Sequence, residues 1–230
     1  MKKAVFAFGR FQPITIGHAK LVKKVEDLAK KSKADPMIYM SHSEDPKKNP
    51  LSYDDKVKFG QKAFGKAIQK SKVKTFIQAL NELDKKGYTH VEFVAGSDRI
   101  NEFQSLVDKY NGGKDFDFEE IKVVSAGERD ESADDVSGMS ASKMRKFASE
   151  DNYKEFKKGS PLKSEKDTKD LYNAVRKGMR IAENLEFIPA YKHADYVEIM
   201  ESFDYDDFRN KYGSNVFETM HTIAKKKLGL

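Results

Sequence analysis

The chain has 230 residues, 38% of them hydrophobic and 35% charged, with 43 Lys and Arg against 37 Asp and Glu for a net charge of +6. That length suits one domain of ordinary size plus an extension, or two small domains, and 16 Phe and 10 Tyr supply bulk for a core. The absence of cysteine excludes disulfides, zinc–thiolate sites and a cysteine nucleophile, and no stretch approaches the roughly 18 apolar residues of a membrane span.

Met1-Lys2-Lys3 precedes an apolar run, Ala4-Val5-Phe6-Ala7-Phe8, that Gly9-Arg10 cuts short. The run is too brief for a signal peptide and reads as a strand buried on both faces; together with the lack of disulfides, this fits a cytoplasmic protein. Beyond it, Ala19, Leu21, Val22, Val25 and Leu28 recur at helical spacing, which predicts a helix from about Gly17 to Lys31. Gly9-Arg10-Phe11-Gln12-Pro13-Ile14-Thr15-Ile16-Gly17-His18 therefore joins a first strand to a helix start. Gly9 and Gly17 permit close approach to the main chain. The unpaired N–H groups of the helix start favour an anion, and Arg10, Thr15 and His18 add donors. The segment is neither a Walker loop nor a dinucleotide-binding glycine turn.

Thr15-Ile16-Gly17-His18 resembles the T/H-x-G-H signature of the nucleotidyltransferases related to class I aminoacyl-tRNA synthetases. Gly9-Arg10-Phe11-Gln12-Pro13 is similar to the form found in nicotinamide-mononucleotide adenylyltransferases, especially the archaeal type. The resemblance implies an α/β fold with a doubly wound parallel sheet, the Rossmann-like nucleotidyltransferase fold. Here it would carry a helical extension at the C-terminal end.

Further along, Met37–Met40 reads as a second strand after Asp35-Pro36, and strand–helix–strand of this length implies a parallel crossover. A polar loop follows, with Asn49-Pro50-Leu51-Ser52 resembling the Asn-Pro-Phe-Thr segment of archaeal-type enzymes of this family. Ser52 is a candidate cap for a helix ending near Gln69. Lys47, Lys48 and Lys56 are candidates to reach phosphate groups, although neighbouring loop lysines are commonly just solvated. Val73–Ile77 is expected to form a short third strand, with a helix over Ala79–Lys86 that Gly87 stops. His90–Ala95 is a strand leading into Gly96-Ser97-Asp98-Arg99. Small and polar groups there stand at the carboxyl edge of a sheet, where ligands bind in open α/β folds. This stretch resembles the Gly-x-Asp segment by which the family contacts its acceptor; Asp98 could equally cap the next helix.

A strand centred on Ile121–Val124 and an acidic loop, Gly127–Asp135, lead to Val136-Ser137-Gly138-Met139-Ser140-Ala141-Ser142-Lys143-Met144-Arg145, which reads as a loop entering a helix. Its hydroxyl groups and cations suit an anion. It resembles the family's I-S-S-T-x-x-R signature, departing from it at Ala141, which lacks a hydroxyl. From about Glu150 the chain is helical in character and carries no motif. The expected division is a nucleotidyltransferase domain over 1–160 and a helical extension over 161–230, a candidate for packing on the core or for homo-oligomer contacts.

The family's reaction is attack by an acceptor phosphate oxygen on the α-phosphorus of a nucleoside triphosphate, releasing pyrophosphate. A phosphate dianion is already a nucleophile, so alignment and charge neutralisation are the protein's task. The resemblance implies catalytic roles for His18, Thr15 and Arg145. It implies nucleotide contacts from Gly9, Arg10, Phe11, Gly17, Ser140, Ser142 and Lys143, and acceptor contacts from Gly96, Asp98 and Asn49. Magnesium (Mg2+) would arrive with the triphosphate, held by phosphate oxygens and water rather than by a protein cage. The expected partners are an NTP, with ATP first, and a small phosphate-bearing acceptor, with nicotinamide mononucleotide first. A cytidylyltransferase on the same scaffold is the rival. A nucleic-acid-binding module is a third reading, which no recognised motif supports.

Overall fold

In the computed structural model, residues 1–127, 139–181, 193–212 and 216–229 are described. Two compact units divide the chain, Met1–Met179 and Arg180–Leu230. The first contains β1 (Lys3–Gly9), α1 (Ile16–Ser32), β2 (Asp35–Met40), α2 (Tyr53–Phe64), α3 (Phe76–Lys85), β3 (His90–Ala95), α4 (Ile100–Tyr110), β4 (Glu120–Ser125), α5 (Ala141–Ser149), α6 (Tyr153–Gly159) and α7 (Glu165–Gly178).

Its sheet has the order β2-β1-β3-β4 with every pair parallel, Gly9 opposite Met40 and Phe6 opposite Phe93. From β1 the chain moves outward to β2, then returns to the far side of β1 for β3. The order reverses there, so the carboxyl ends of β1 and β3 flank the crevice where α/β sheets bind ligands. The sheet is covered on both faces, as the unbroken apolar run of β1 requires. Val5 and Ala7 join Val22, Val25, Phe59, Phe156 and Val175 in one buried cluster. Ala4 and Phe6 join Phe76, Leu80, Phe93 and Phe103 in the other.

Most helices begin where their side chains cap them. Thr15, Ser52, Ser140 and Ser164 stand at the N-cap positions of α1, α2, α5 and α7, each accepting from a backbone N–H three residues on. The expected strand over Val73–Ile77 is not formed. Thr75 instead caps α3, accepting from Gln78 N–H at 3.2 Å while Gln78 Oε1 takes the Lys74 N–H at 2.8 Å. Thr-x-x-Gln is a capping-box pattern, and it outweighs the β-branched content of the segment. Asp98 lies within a 3-10 turn, Ser97–Arg99, and Arg99 rather than Asp98 takes the N-cap position of α4.

The first compact unit extends past residue 160, because α7 buries Leu171, Tyr172 and Val175 among Val57, Met144 and Phe156. The second unit contains α8 (His193–Glu201), α9 (Tyr205–Tyr212) and α10 (Val216–Lys227). Tyr196 and Ala224 form its small core, and the Tyr196 hydroxyl lies 2.6 Å from His221 Nδ1. No helix among the described residues is long and apolar enough to cross a membrane.

Phe93 is 1% exposed, its ring 4.9 Å from Phe6, 4.5 Å from Phe76 and 4.7 Å from Phe103, centroid to centroid. Phe93→Ala should therefore lower unfolding free energy by about 3–5 kcal/mol in a urea titration; a loss within about 1 kcal/mol would mean that the cavity collapses without cost.

Candidate active site

The loop after β1 turns at Phe11, whose φ of 51° is an uncommon left-handed conformation for an aromatic residue. The turn brings its ring back against Gly9, where a Cβ would stand 2.9 Å from the ring. The same ring packs on His18 with centroids 4.6 Å apart. Phe11 is 1% exposed, so its part is to support His18 and the loop rather than to offer a face to a ligand.

Thr15 and His18 form a reciprocal cap. The Thr15 Oγ1 accepts from His18 N–H at 3.3 Å, and Thr15 N–H donates to His18 Nδ1 at 3.0 Å. With its Nδ1 lone pair engaged this way, the imidazole carries its hydrogen on Nε2, a donor fixed by the backbone it caps. Thr15 is itself buried, and its hydroxyl orients His18 from within the cap.

The second motif meets the first at Gly17. A Cβ there would lie 3.4 Å from the Met139 carbonyl oxygen, so the start of α1 and the approach to α5 are in van der Waals contact. Ser140 caps α5, accepting from Lys143 N–H at 3.1 Å. Ala141 occupies the following position, and the cap forms without the hydroxyl it lacks. Arg145 Nη2 donates to Ser142 Oγ at 3.1 Å and Nη1 to the Gln12 carbonyl at 2.6 Å. Burial first, and then the charge of Arg10, lower the Arg145 pKa, with Asp45 opposing them. Two guanidinium groups thus repel one another beside two helix N-termini, an arrangement that an anion relieves.

Gln12 was not among the expected site residues, yet it holds two loops and α5 together. Its Nε2 donates to Leu51 O at 2.8 Å and to Ser43 O at 3.2 Å, and its Oε1 accepts from Leu51 N–H at 2.8 Å. Its carbonyl takes Arg145, and its side chain is buried. A Gln inside Gly-Arg-Phe-Gln-Pro is the one signal of this role in the sequence.

Asn49 stands in the loop after β2, 8% exposed, in a tight turn with Asp45: the two exchange backbone hydrogen bonds at 2.9 and 3.1 Å. Asn49 Nδ2 donates to Asp45 Oδ2, and Asn49 Oδ1 has no hydrogen-bond partner among the described residues. The N–H of Lys48 leads several donors that hold the Asp45 carboxyl below the usual carboxylate range. Lys47 and Lys48 are exposed at the tip. Lys56 is not free to reach a phosphate: it is fully buried and donates to the Ser41 carbonyl at the end of β2. Gly96 follows β3 at the carboxyl edge of the sheet, while the side chain of Asp98, like Val136–Gly138 of the second motif, lies outside the described residues.

Gly9, Arg10, Thr15, Gly17 and His18 are thus joined to Ser142 and Arg145 across the Gly17–Met139 and Gln12–Arg145 contacts, at the carboxyl end of the sheet. The chain belongs to the cytidylyltransferase-like family. The model of that family matches residues 6–196, which contain both motifs and the whole sheet beyond its first three residues. This makes the chain a nucleotidyltransferase of the superfamily with a nucleoside triphosphate as substrate. No curated protein matches it. Among solved structures, a Vibrio parahaemolyticus protein provisionally assigned as a nicotinate-nucleotide adenylyltransferase aligns at 16% identity and a TM-score of 0.46, over 74% of this chain and 99% of its own. Thermotoga maritima TmcAL bound with alpha-thio ATP aligns at 13% identity and a TM-score of 0.42, over 98% of this chain and 68% of its own.

Lys56 gives the nucleotidyltransferase a pH signature. Burial pushes its pKa down to about 8, with Glu44 partly opposing. The folded state therefore releases this proton at a lower pH than the unfolded chain does, and stability contributed by this group rises as pH increases through about 8 toward the ordinary lysine value. Thermal melts from pH 7.5 to 9.5 should show the wild type gaining on Lys56→Met as pH rises; parallel curves would mean that Lys56 keeps an ordinary pKa.

Proposed function

We infer that the protein transfers a nucleoside monophosphate from an NTP to a phosphate-bearing acceptor, with ATP and nicotinamide mononucleotide as the leading pair and NAD as product. The observation that carries this reading is that the start of α1, which holds His18, meets the approach to α5 at Gly17, while Arg145 of α5 reaches back to Gln12 in the loop before α1. The acceptor preference is supported by Gly9-Arg10-Phe11-Gln12-Pro13 and by Asn49-Pro50-Leu51, which Gln12 ties into one surface.

In the reaction an acceptor phosphate oxygen forms a bond to the α-phosphorus as the bond from that phosphorus to the bridging oxygen breaks, and the electron pair leaves with pyrophosphate. No proton need be removed from the nucleophile. His18 Nε2–H donates to a non-bridging α-phosphate oxygen as charge develops there. Arg145, Lys143 and Ser142 take the β- and γ-phosphates, and Arg10 lies where it can neutralise either substrate. The orienting groups are all internal: Thr15 fixes His18, and Gln12 fixes Arg145.

Magnesium suits this donor set as a passenger on the triphosphate. The groups that converge here are cations, amides and hydroxyls, and no cluster of three potential metal-ligating side chains occurs among the described residues. Bound to phosphate oxygens, the metal would neutralise charge on the leaving pyrophosphate.

Pyrophosphate release with magnesium and nicotinamide mononucleotide, measured with each of the four ribonucleoside triphosphates, tests the reading. Release with ATP alone together with NAD formation is expected; release only with CTP and another phosphate monoester would replace it with the cytidylyltransferase. His18→Ala should lower turnover by about 100- to 1000-fold, the usual effect of removing one transition-state donor. Turnover near that of the wild type would remove His18 from the reaction.

A further inference from the structure

Gly178 ends α7 with no room for a side chain. A Cβ there would stand 1.7 Å from the Pro50 carbonyl oxygen and 2.5 Å from its carbon. The obstacle is backbone, so no rotamer change relieves it. The next residue, Leu51, is 1% exposed and gives both its backbone groups to Gln12. A continuous path of backbone contact and hydrogen bonds therefore runs from the end of α7 through Pro50 and Leu51 to Gln12, and from the Gln12 carbonyl to Arg145.

The rest of α7 is anchored independently. Arg176 donates to the Ala148 carbonyl in the last turn of α5 at 2.8 Å and pairs with Asp151 at 2.8 Å. Asp167, near its start, pairs with Lys62 of α2. Leu171 and Val175 are fully buried between them. A helix held in this way has a fixed end, and that end is what Pro50 rests on. Gly159 offers a contrast at the end of α6. A Cβ there would come 2.4 Å from Met139 Cγ and 3.1 Å from Met144 Cγ, so the obstacle is side chain rather than backbone.

We propose that α7 is a positioning element for the acceptor half of the site, and that Gly178 sets where Asn49–Leu51 stand relative to Gln12. The proposal rests on reading the loop after β2 as the acceptor side. Gly178 touches no substrate; it acts through Pro50. Displacing that segment weakens acceptor binding first, and ATP binding only to the extent that Gln12 passes the shift on to Arg145.

The test is Gly178→Ala in the full chain, with the KM of each substrate measured separately and amide hydrogen exchange recorded without substrates. The KM for nicotinamide mononucleotide should rise by about tenfold to a hundredfold, the effect expected of a displacement near 1 Å, with the KM for ATP rising by a smaller factor. The Leu51 amide should exchange roughly tenfold faster, the weight of about one hydrogen bond, while β1 and β3 keep their protection. An unchanged Leu51 amide would overturn the proposal. So would a uniform loss of protection with both KM values rising by the same factor, since that marks a glycine needed only for folding. If the wild type makes no NAD, the functional reading fails by itself and Leu51 exchange still decides this one.

Pro50→Gly frees the obstructing carbonyl to move and completes a double-mutant cycle. Non-additive effects are expected if Gly178 acts through Pro50, and additive effects would overturn that route. Should Gly178→Ala alone fail to fold, the double variant is compared with Pro50→Gly. No further loss of Leu51 protection supports the contact, and a further loss of equal size rejects it.

Discussion

The site depends on the backbone of Leu51 being paired by the side chain of Gln12. A glutamine amide places an acceptor oxygen and a donor nitrogen side by side, so Gln12 pairs both backbone groups of Leu51 as a strand would, in a segment that no strand covers, and its second N–H is left for Ser43. Burial makes the pairing obligatory, because leaving either Leu51 group unpaired inside the protein costs about 1–3 kcal/mol. The Gln12 carbonyl is left to accept from Arg145, which brings α5 to the same point. The loop after β1, the loop after β2 and the second motif are therefore tied to one buried residue, Gln12. Their relative positions are fixed before any ligand arrives.

That fixed geometry carries an electrostatic cost. Arg145 is half-buried and repelled by Arg10, and Lys56 is wholly buried beneath the end of β2. The two cases are resolved differently. Lys56 has a carbonyl partner and a lowered pKa, which are the marks of an internal group that braces a loop. The arginines keep their charge at any accessible pH, so their mutual repulsion is relieved by an anion in the crevice. A polyphosphate is a ligand of matching charge, and preorganised cations in a site of reduced dielectric act on it without reorganising during the reaction.

The helices after the second motif work with the same constraint. Hydrophobic burial of Phe156, Leu171, Tyr172 and Val175 holds α6 and α7 against α2 and α5. Their C-terminal glycines then bring backbone to within contact of the second motif and the loop after β2, Gly159 beside Met139 and Gly178 beside Pro50. Packing on one face of the sheet is in this way converted into a definite spacing between loops on its edge.

Much of this was legible in the sequence where the physics is local. The apolar run of β1, the 3.6-residue spacing of α1 and the cap at Ser52 each close within a few residues, and so composition and order alone specify them. Where reading and structure part, a local rule was passed over or a contact was distant. Thr75-x-x-Gln78 was a visible helix start beneath strand-like residues. The burial of Lys56 was not visible, because nothing near it in the chain reveals what α2 packs against.

The sequence by itself determined most of the elements and the two donor-rich helix starts, since helix caps and hydrophobic periodicity depend on neighbours along the chain, while the class of chemistry was implied by the family resemblance of the two motifs. Tertiary structure alone decided that Gln12 would pair with Leu51, that Arg145 would reach back across 133 positions to Gln12, and that α7 would end on Pro50. Such contacts are chosen by which buried polar groups and backbone surfaces meet when the two faces of the sheet are packed. That choice is a property of the whole core rather than of any segment.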